Sequence, residues 1–264
     1  MSNDSGGMGI KHPILAALNI ELGKCGFAAI PNAMETPGTL VGEWVKPAFA
    51  DVDICVTLLQ QHISKTKISF GADIAMRSRL LMEAHNAIKI WECGHPIVYL
   101  LHEPETLPST IFSVSLHWLV LNGTPPKTRI AWGCSPGGER LLALEFMGEF
   151  QQYASPILDQ IVDYESLISF IRDIDNFPMR TPAGGFSIGD ESWLLAFFLH
   201  AIGDMSSALA ELETGHRIEM AKIERDFQGK EYAQKRARLA EIAKCKLVRH
   251  RKFINGQIEI LNSN

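Results

Sequence analysis

Apolar positions recur along this chain with two periods, and the switches between them mark its organisation. Over 12–26, Ile14, Leu15, Leu18 and Leu22 fall at three- and four-residue steps between Pro13 and Gly26, which predicts a first helix. Residues 31–42 carry Pro31, Pro37, Gly38 and Gly42 and predict a loop. A short strand is expected over 43–49. The β-branched, apolar stretch 52–60 predicts a buried strand. Over 67–75 the pattern alternates, with Ile68, Phe70, Ala72, Ile74 and Met76 on one face and Lys67, Ser69 and Asp73 on the other. That is the signature of a half-buried strand. The polar link 61–66 between these two strands predicts a hairpin.

The helical period returns over 77–93, where Leu81, Ala84, Ile88 and Trp91 line one face and Gly94 follows as a stop. Strands are expected over 97–102 and over 111–121, the latter with His117 on its polar face. Asn122-Gly123 and Pro125-Pro126 then turn the chain into a strand over 129–134. Ser135-Pro136 reads as an N-cap with proline in the first turn of a helix carrying Leu142, Phe146, Phe150 and Tyr153. After a break at Ser155-Pro156, Asp163 caps a short helix. Residues 175–189 are rich in Gly and Pro and predict a linker or a loop over the sheet. Asp190 then caps an apolar helix ending near Ile202, and Asp204 caps the next, with Met205, Leu209, Leu212, Met220, Ile223 and Phe227 facing a core. Gly229 separates it from a last helix, stopped by Asn255-Gly256. Two long helices joined at a glycine predict an antiparallel hairpin.

The links between strands are too short for parallel crossovers, so the expected fold class is α+β: a mainly antiparallel sheet packed with helices, followed by a C-terminal helical hairpin subdomain. The expected division is a sheet domain over 1–174 and a helical subdomain over 190–256.

Composition adds bounds. The chain has 264 residues, 46 % hydrophobic and 21 % charged, which excludes a disordered or collagen-like protein. The longest apolar run, 193–202, is half the roughly 20 residues that span a bilayer, so no membrane partner is expected. The polar, Gly-rich 1–9 does not read as a signal peptide. Five scattered cysteines, an odd count, suggest a reduced, cytoplasmic compartment. Charge is uneven: residues 217–252 hold twelve Lys and Arg against five Asp and Glu, a net of +7, which leaves −12 for the rest. Lys244, Lys246, Arg249 and Arg251 are therefore the candidate binding residues, either on a solvated helix face or toward phosphates or an acidic partner.

Candidate chemistry is sparse. Cys93, His95, His85 and the His102-Glu103 pair are near one another in sequence but lack a spacing that converges on one ion, so no metal and no cofactor is expected. Cys134 precedes a turn into a helix, where the dipole and free N–H groups lower a thiol's pKa. With His117 on a neighbouring strand as base, it is the candidate nucleophile. Gly137-Gly138 lacks phosphate-loop spacing. Glu43, Lys46, Asp51 and Asp53 lack the spacing of a nuclease centre. His200, on the apolar helix, reads as a core histidine.

Residues 150–170, with Gln151-Gln152-Tyr153-Ala154-Ser155-Pro156 and Asp163-Tyr164-Glu165-Ser166-Leu167, resemble uncharacterised bacterial α+β domains of unknown function, and Gly203-Asp204-Met205 with Ala208-Leu209-Ala210 resembles their helical tail. The likeness covers the second half of the chain and implies no catalytic residues. The element order is also similar to that of acidic dimeric secretion chaperones. The expectation from these strands of reasoning is a non-catalytic bacterial interaction protein of immunity, adaptor or chaperone type, binding another protein or itself as a homodimer. The alternatives are a nucleic-acid binder or nuclease working through the basic C-terminal helices, and a small-molecule enzyme using Cys134 and His117.

Overall fold

The computed structural model describes residues 13–30, 41–63, 68–93, 110–120, 132–135, 137–173, 186–188 and 191–258. In chain order these form α1 (Pro13–Lys24), β1 (Ala28–Ala29), β2 (Val41–Phe49), β3 (Val52–Ile63), β4 (Ile68–Ser78), α2 (Arg79–Ile88), a 3₁₀ turn (Ile90–Cys93), β5 (Thr110–Ser115) and α3 (Leu116–Val120). There follow β6 (Trp132–Cys134), α4 (Glu139–Glu149), a π-helical turn (Phe150–Ala154), α5 (Ser155–Leu158), α6 (Tyr164–Arg172), β7 (Phe186–Ile188), α7 (Glu191–Ala201), α8 (Met205–Asp226) and α9 (Ala233–Ile254). The fold class is α+β, as the periodicities predict. Among the described residues, no helix is long and apolar enough to cross a membrane.

The chain divides into two compact units. Unit one takes the described residues within Met1–Arg77, Phe112–Val162 and Asp175–Ser187; unit two takes those within Ser78–Ile111, Asp163–Ile174 and Ile188–Asn264. The units interleave along the chain and do not follow a single cut between 174 and 190.

Unit one carries the sheet. Its strands run in the order β1-β2-β3-β4-β5-β7, with β6 also paired to β4. The registers of β1 with β2, β2 with β3, and β4 with β6 are antiparallel. Phe70, Ala72, Ile74 and Met76 of β4 are buried as expected, but Gly71 and Ala75 on the other face are buried as well, so the strand, expected to be half-buried, is covered on both faces at its centre. Helix α1 turns Ile14, Leu15, Leu18 and Leu22 inward and packs on α4. Phe27 meets the ring of Phe150 edge-on at 5.8 Å. The Cys55 thiol is buried, and burial pushes it up to about 11.

Several expectations need correction here. The strand predicted over 111–121 ends at Ser115, and His117 lies on the short helix α3. Leu116 and Leu119 are both buried, and a three-residue step fits a helix where alternation does not. Helix α4 begins at Glu139 behind Gly138, and Ser135 does not cap it. Gly137, at φ +88°, turns the chain in a conformation no helix contains, so the helix starts beyond it. Within 175–189, β7 is a strand of the sheet beside β5; three residues are too few to show a period. The expected strand over 97–102 lies outside the described residues.

Unit two is helical. Helix α2 is capped by Ser78, whose Oγ accepts the Leu81 N–H at 2.9 Å. Two of the predicted caps form: Asp163 accepts from Ser166 N–H at 2.8 Å, and Asp204 from Ser207 N–H at 3.0 Å; the cap expected at Asp190 lies outside the described residues. Helix α7 is buried from Trp193 to Leu199 and packs against α6, α8 and α9. On α8, Ala208, Leu212 and Ile223 are buried, whereas Met205, expected in the core, is exposed at the first turn. Helix α9 returns along α8 as the predicted hairpin and reaches α2 and the 3₁₀ turn. There a disulfide joins Cys93 to Cys245 across 152 positions. The expectation that all five cysteines are reduced therefore fails, because wide and uneven spacing carries no pairing signal. Cys25 and Cys55 are free thiols.

A histidine-lined cleft in the helical unit

The strongest candidate site lies within unit two, where α7, α8 and α9 line an open cleft of about 260 Å³. Periodicity explains what lines it. On α8, Leu212, His216, Glu219 and Ile223 are spaced four, three and four apart, and on α9 so are Lys246, His250 and Phe253 at four and three. Polar side chains thus occupy positions on the inward stripes that an apolar core would otherwise fill. Gly215 lets α7 approach: a Cβ there would collide with the side chain of Ser192. A glycine in a helix interior costs about 1 kcal/mol relative to alanine, and close approach of a second helix explains its presence.

Trp193 organises the back of the cleft. His250 stacks on it with ring centroids 4.0 Å apart and planes 8° from parallel. Phe253 meets it edge-on at 5.8 Å, and Phe197 lies at the same distance. The indole Nε1–H donates to His85 Nε2 at 2.7 Å, which makes that nitrogen an acceptor. His250 is 5 % exposed. Two ring nitrogens, His216 Nδ1 and His250 Nε2, are buried without a hydrogen-bond partner. At the same cleft Lys246 pairs with Glu219 at 3.3 Å, and Lys222 stands at the exposed rim. The charged lining thus carries two cations and one anion.

Burial pushes the His250 imidazole down from 6.5 to about 3, with His85 and Lys246 acting in the same direction. Its folded pKa lies below its unfolded value, so the neutral ring stabilises the fold fully above pH 6.5. That contribution is lost as pH falls toward 3. Between pH 6.5 and 5.5 the folded state should lose about 1 kcal/mol, read as a falling urea midpoint. His250→Gln should flatten that slope.

The sequence-predicted residues are distributed differently. Three of the four basic candidates hold intramolecular partners. Lys246 pairs with Glu219, Arg251 with Glu213, and Arg249 with Glu92 at 2.8 Å. Arg249 also donates to the carbonyls of Ile88 and Lys89, at the C-terminal end of α2 where a cation is favoured. Lys244 is exposed. Cys134 lies on β6 and His117 on α3; the side chain of Cys134 is outside the described residues. Cys93 is in the disulfide, and His95, His102 and Glu103 are outside the described residues. Glu43 pairs with Arg77, and no group of three or more metal-binding side chains occurs among the described residues. His200 contacts the edge of Phe253 at 5.7 Å and Met205 Sδ at 2.9 Å, and burial lowers its pKa.

His216 and His250 were not singled out by sequence reasoning, although their places on the inward stripes of α8 and α9 are legible once both helices are drawn. Comparison with family models, curated proteins and solved structures finds no match to this chain.

Proposed function

We propose that this chain is a non-catalytic binding protein whose recognition surface is the α8–α9 hairpin and the cleft beneath it, and whose partner is another protein or a second copy of itself. The observation that carries this proposal is the exposed apolar pair on the hairpin, Ile218 at 63 % on α8 and Val248 at 51 % on α9. Covering such side chains with a partner removes apolar surface from water, worth roughly 25 cal/mol per Å². A phosphate-binding role for the basic helix is less well supported, since Lys246, Arg249 and Arg251 each already face a carboxylate.

Native mass spectrometry tests the self-association arm. A dimer is expected, and the Ile218→Glu, Val248→Glu double variant should be monomeric with an unchanged helical circular dichroism spectrum. A wild-type chain that stays monomeric at every concentration and carries no bound protein mass would count against the proposal.

A further inference from the structure

We infer that the cleft between α7, α8 and α9 is built for a single carboxylate carried on a short apolar body. This rests on the binding role proposed above and names the chemical group that the cleft would take.

The size of the cleft comes first. At about 260 Å³ it falls just below the roughly 300–1,000 Å³ of pockets for drug-sized ligands, so the occupant is a small acid or the last residue of a chain. The second point is charge. Lys246 is held by Glu219 and Lys222 stands at the exposed rim, so the lining has a net charge of +1, which suits a monoanion better than a phosphate dianion. The third point is hydrogen bonding. Lys246, its side chain 17 % exposed, is the donor in the wall of the cleft, and its partly buried charge is less screened than one at the open rim. Finally, Leu212, Ile218 and Leu247 line the same cavity and supply an apolar wall for the remainder of the ligand. Glu219, held on Lys246, occupies the place a ligand carboxylate would take. The cleft thus contains an internal competitor for its own cation.

The test uses the full chain and hexanoate, with hexanamide as the uncharged control, followed by the indole and imidazole resonances of Trp193 and His250. Hexanoate should shift both sets of signals, and hexanamide should bind at least about tenfold more weakly, the loss expected for one charge-assisted hydrogen bond. Lys246→Met should weaken hexanoate by a similar factor. Because Lys246 is largely buried, that variant could lose its fold for unrelated reasons, so Glu219→Gln provides the independent arm. Freeing Lys246 should tighten hexanoate binding severalfold, a gain that a purely structural role for Glu219 would not produce. A short peptide ending in leucine, with a free or amidated C-terminus, separates the sources. Tighter binding of the free-acid peptide than of hexanoate assigns the site to a protein C-terminus, and the reverse order to a free acid. Equal binding of acid and amide, no shift at any soluble hexanoate concentration, or weaker hexanoate binding by Glu219→Gln would overturn the inference. If the dimer forms but no carboxylate binds, the inference alone fails. If carboxylates bind to a chain that stays monomeric and partnerless, the protein-binding role fails and the ligand class stands.

Discussion

Replacing Trp193 with alanine should lower the unfolding free energy by about 3–5 kcal/mol, the range seen when a large buried aromatic is truncated without collapse of its surroundings. The site offers little prospect of collapse. Trp193 is 2 % exposed and touches rings from three directions: His250 on its face, with Phe197 and Phe253 around it. Truncation also removes the N–H that His85 Nε2 accepts, adding a lost hydrogen bond to the lost volume. Trp193→Phe keeps most of the volume but not the donor, and its cost should fall well below that of alanine. Urea unfolding of both variants, followed by far-ultraviolet circular dichroism, separates the two contributions. An alanine variant within 1 kcal/mol of wild type, on the order of an ordinary surface substitution, would show that Trp193 is not the hub of unit two.

The second large effect concerns the disulfide. Reducing it, or replacing Cys93 and Cys245 together by serine, should cost about 2–4 kcal/mol. The closed loop spans 152 positions, so the link removes a large share of the unfolded chain's freedom. It also fastens α9 to the turn after α2, where Arg249 already binds the carbonyls of Ile88 and Lys89. Melting the protein with and without reductant checks this directly. A midpoint indifferent to reductant would mean that the Arg249 contacts and the packing of α9 on α2, α7 and α8 fix it there without the disulfide.

Much of the fold could be read from periodicity, because one buried face imposes a period on whichever element carries it. Helix α1 has the four inward residues that its spacing predicts, and β4 buries the alternate positions expected of it. The Asp163 and Asp204 caps were equally readable, since each acts through the next three residues alone, whereas Gly137 moved the start of α4 away from Ser135. Reading failed where an element is too short to repeat, as in β7 and α3, and where partners are distant in sequence. Nothing near Cys93 points to Cys245. The site was hidden for a related reason. The basic count over 217–252 treats every cation as exposed, yet Lys246 turns inward and Arg249 caps another helix. His250 is inconspicuous on a chain with nine histidines until α9 is set against Trp193.

The late arrival of β7 bears on how the protein is made. In the finished sheet β7 lies against β5, but seventy residues separate the end of one from the start of the other. At the usual 5–20 residues per second of synthesis, that gap lasts about 4–14 s. Throughout this interval the flank of β5 that β7 will cover offers open backbone N–H and C=O groups, a template to which any stray strand can add. A nascent chain stalled before Phe186 should therefore be a better substrate for holding chaperones than one released after Ile188, and a gene shortened to end in that window should yield inclusion bodies in place of a soluble half.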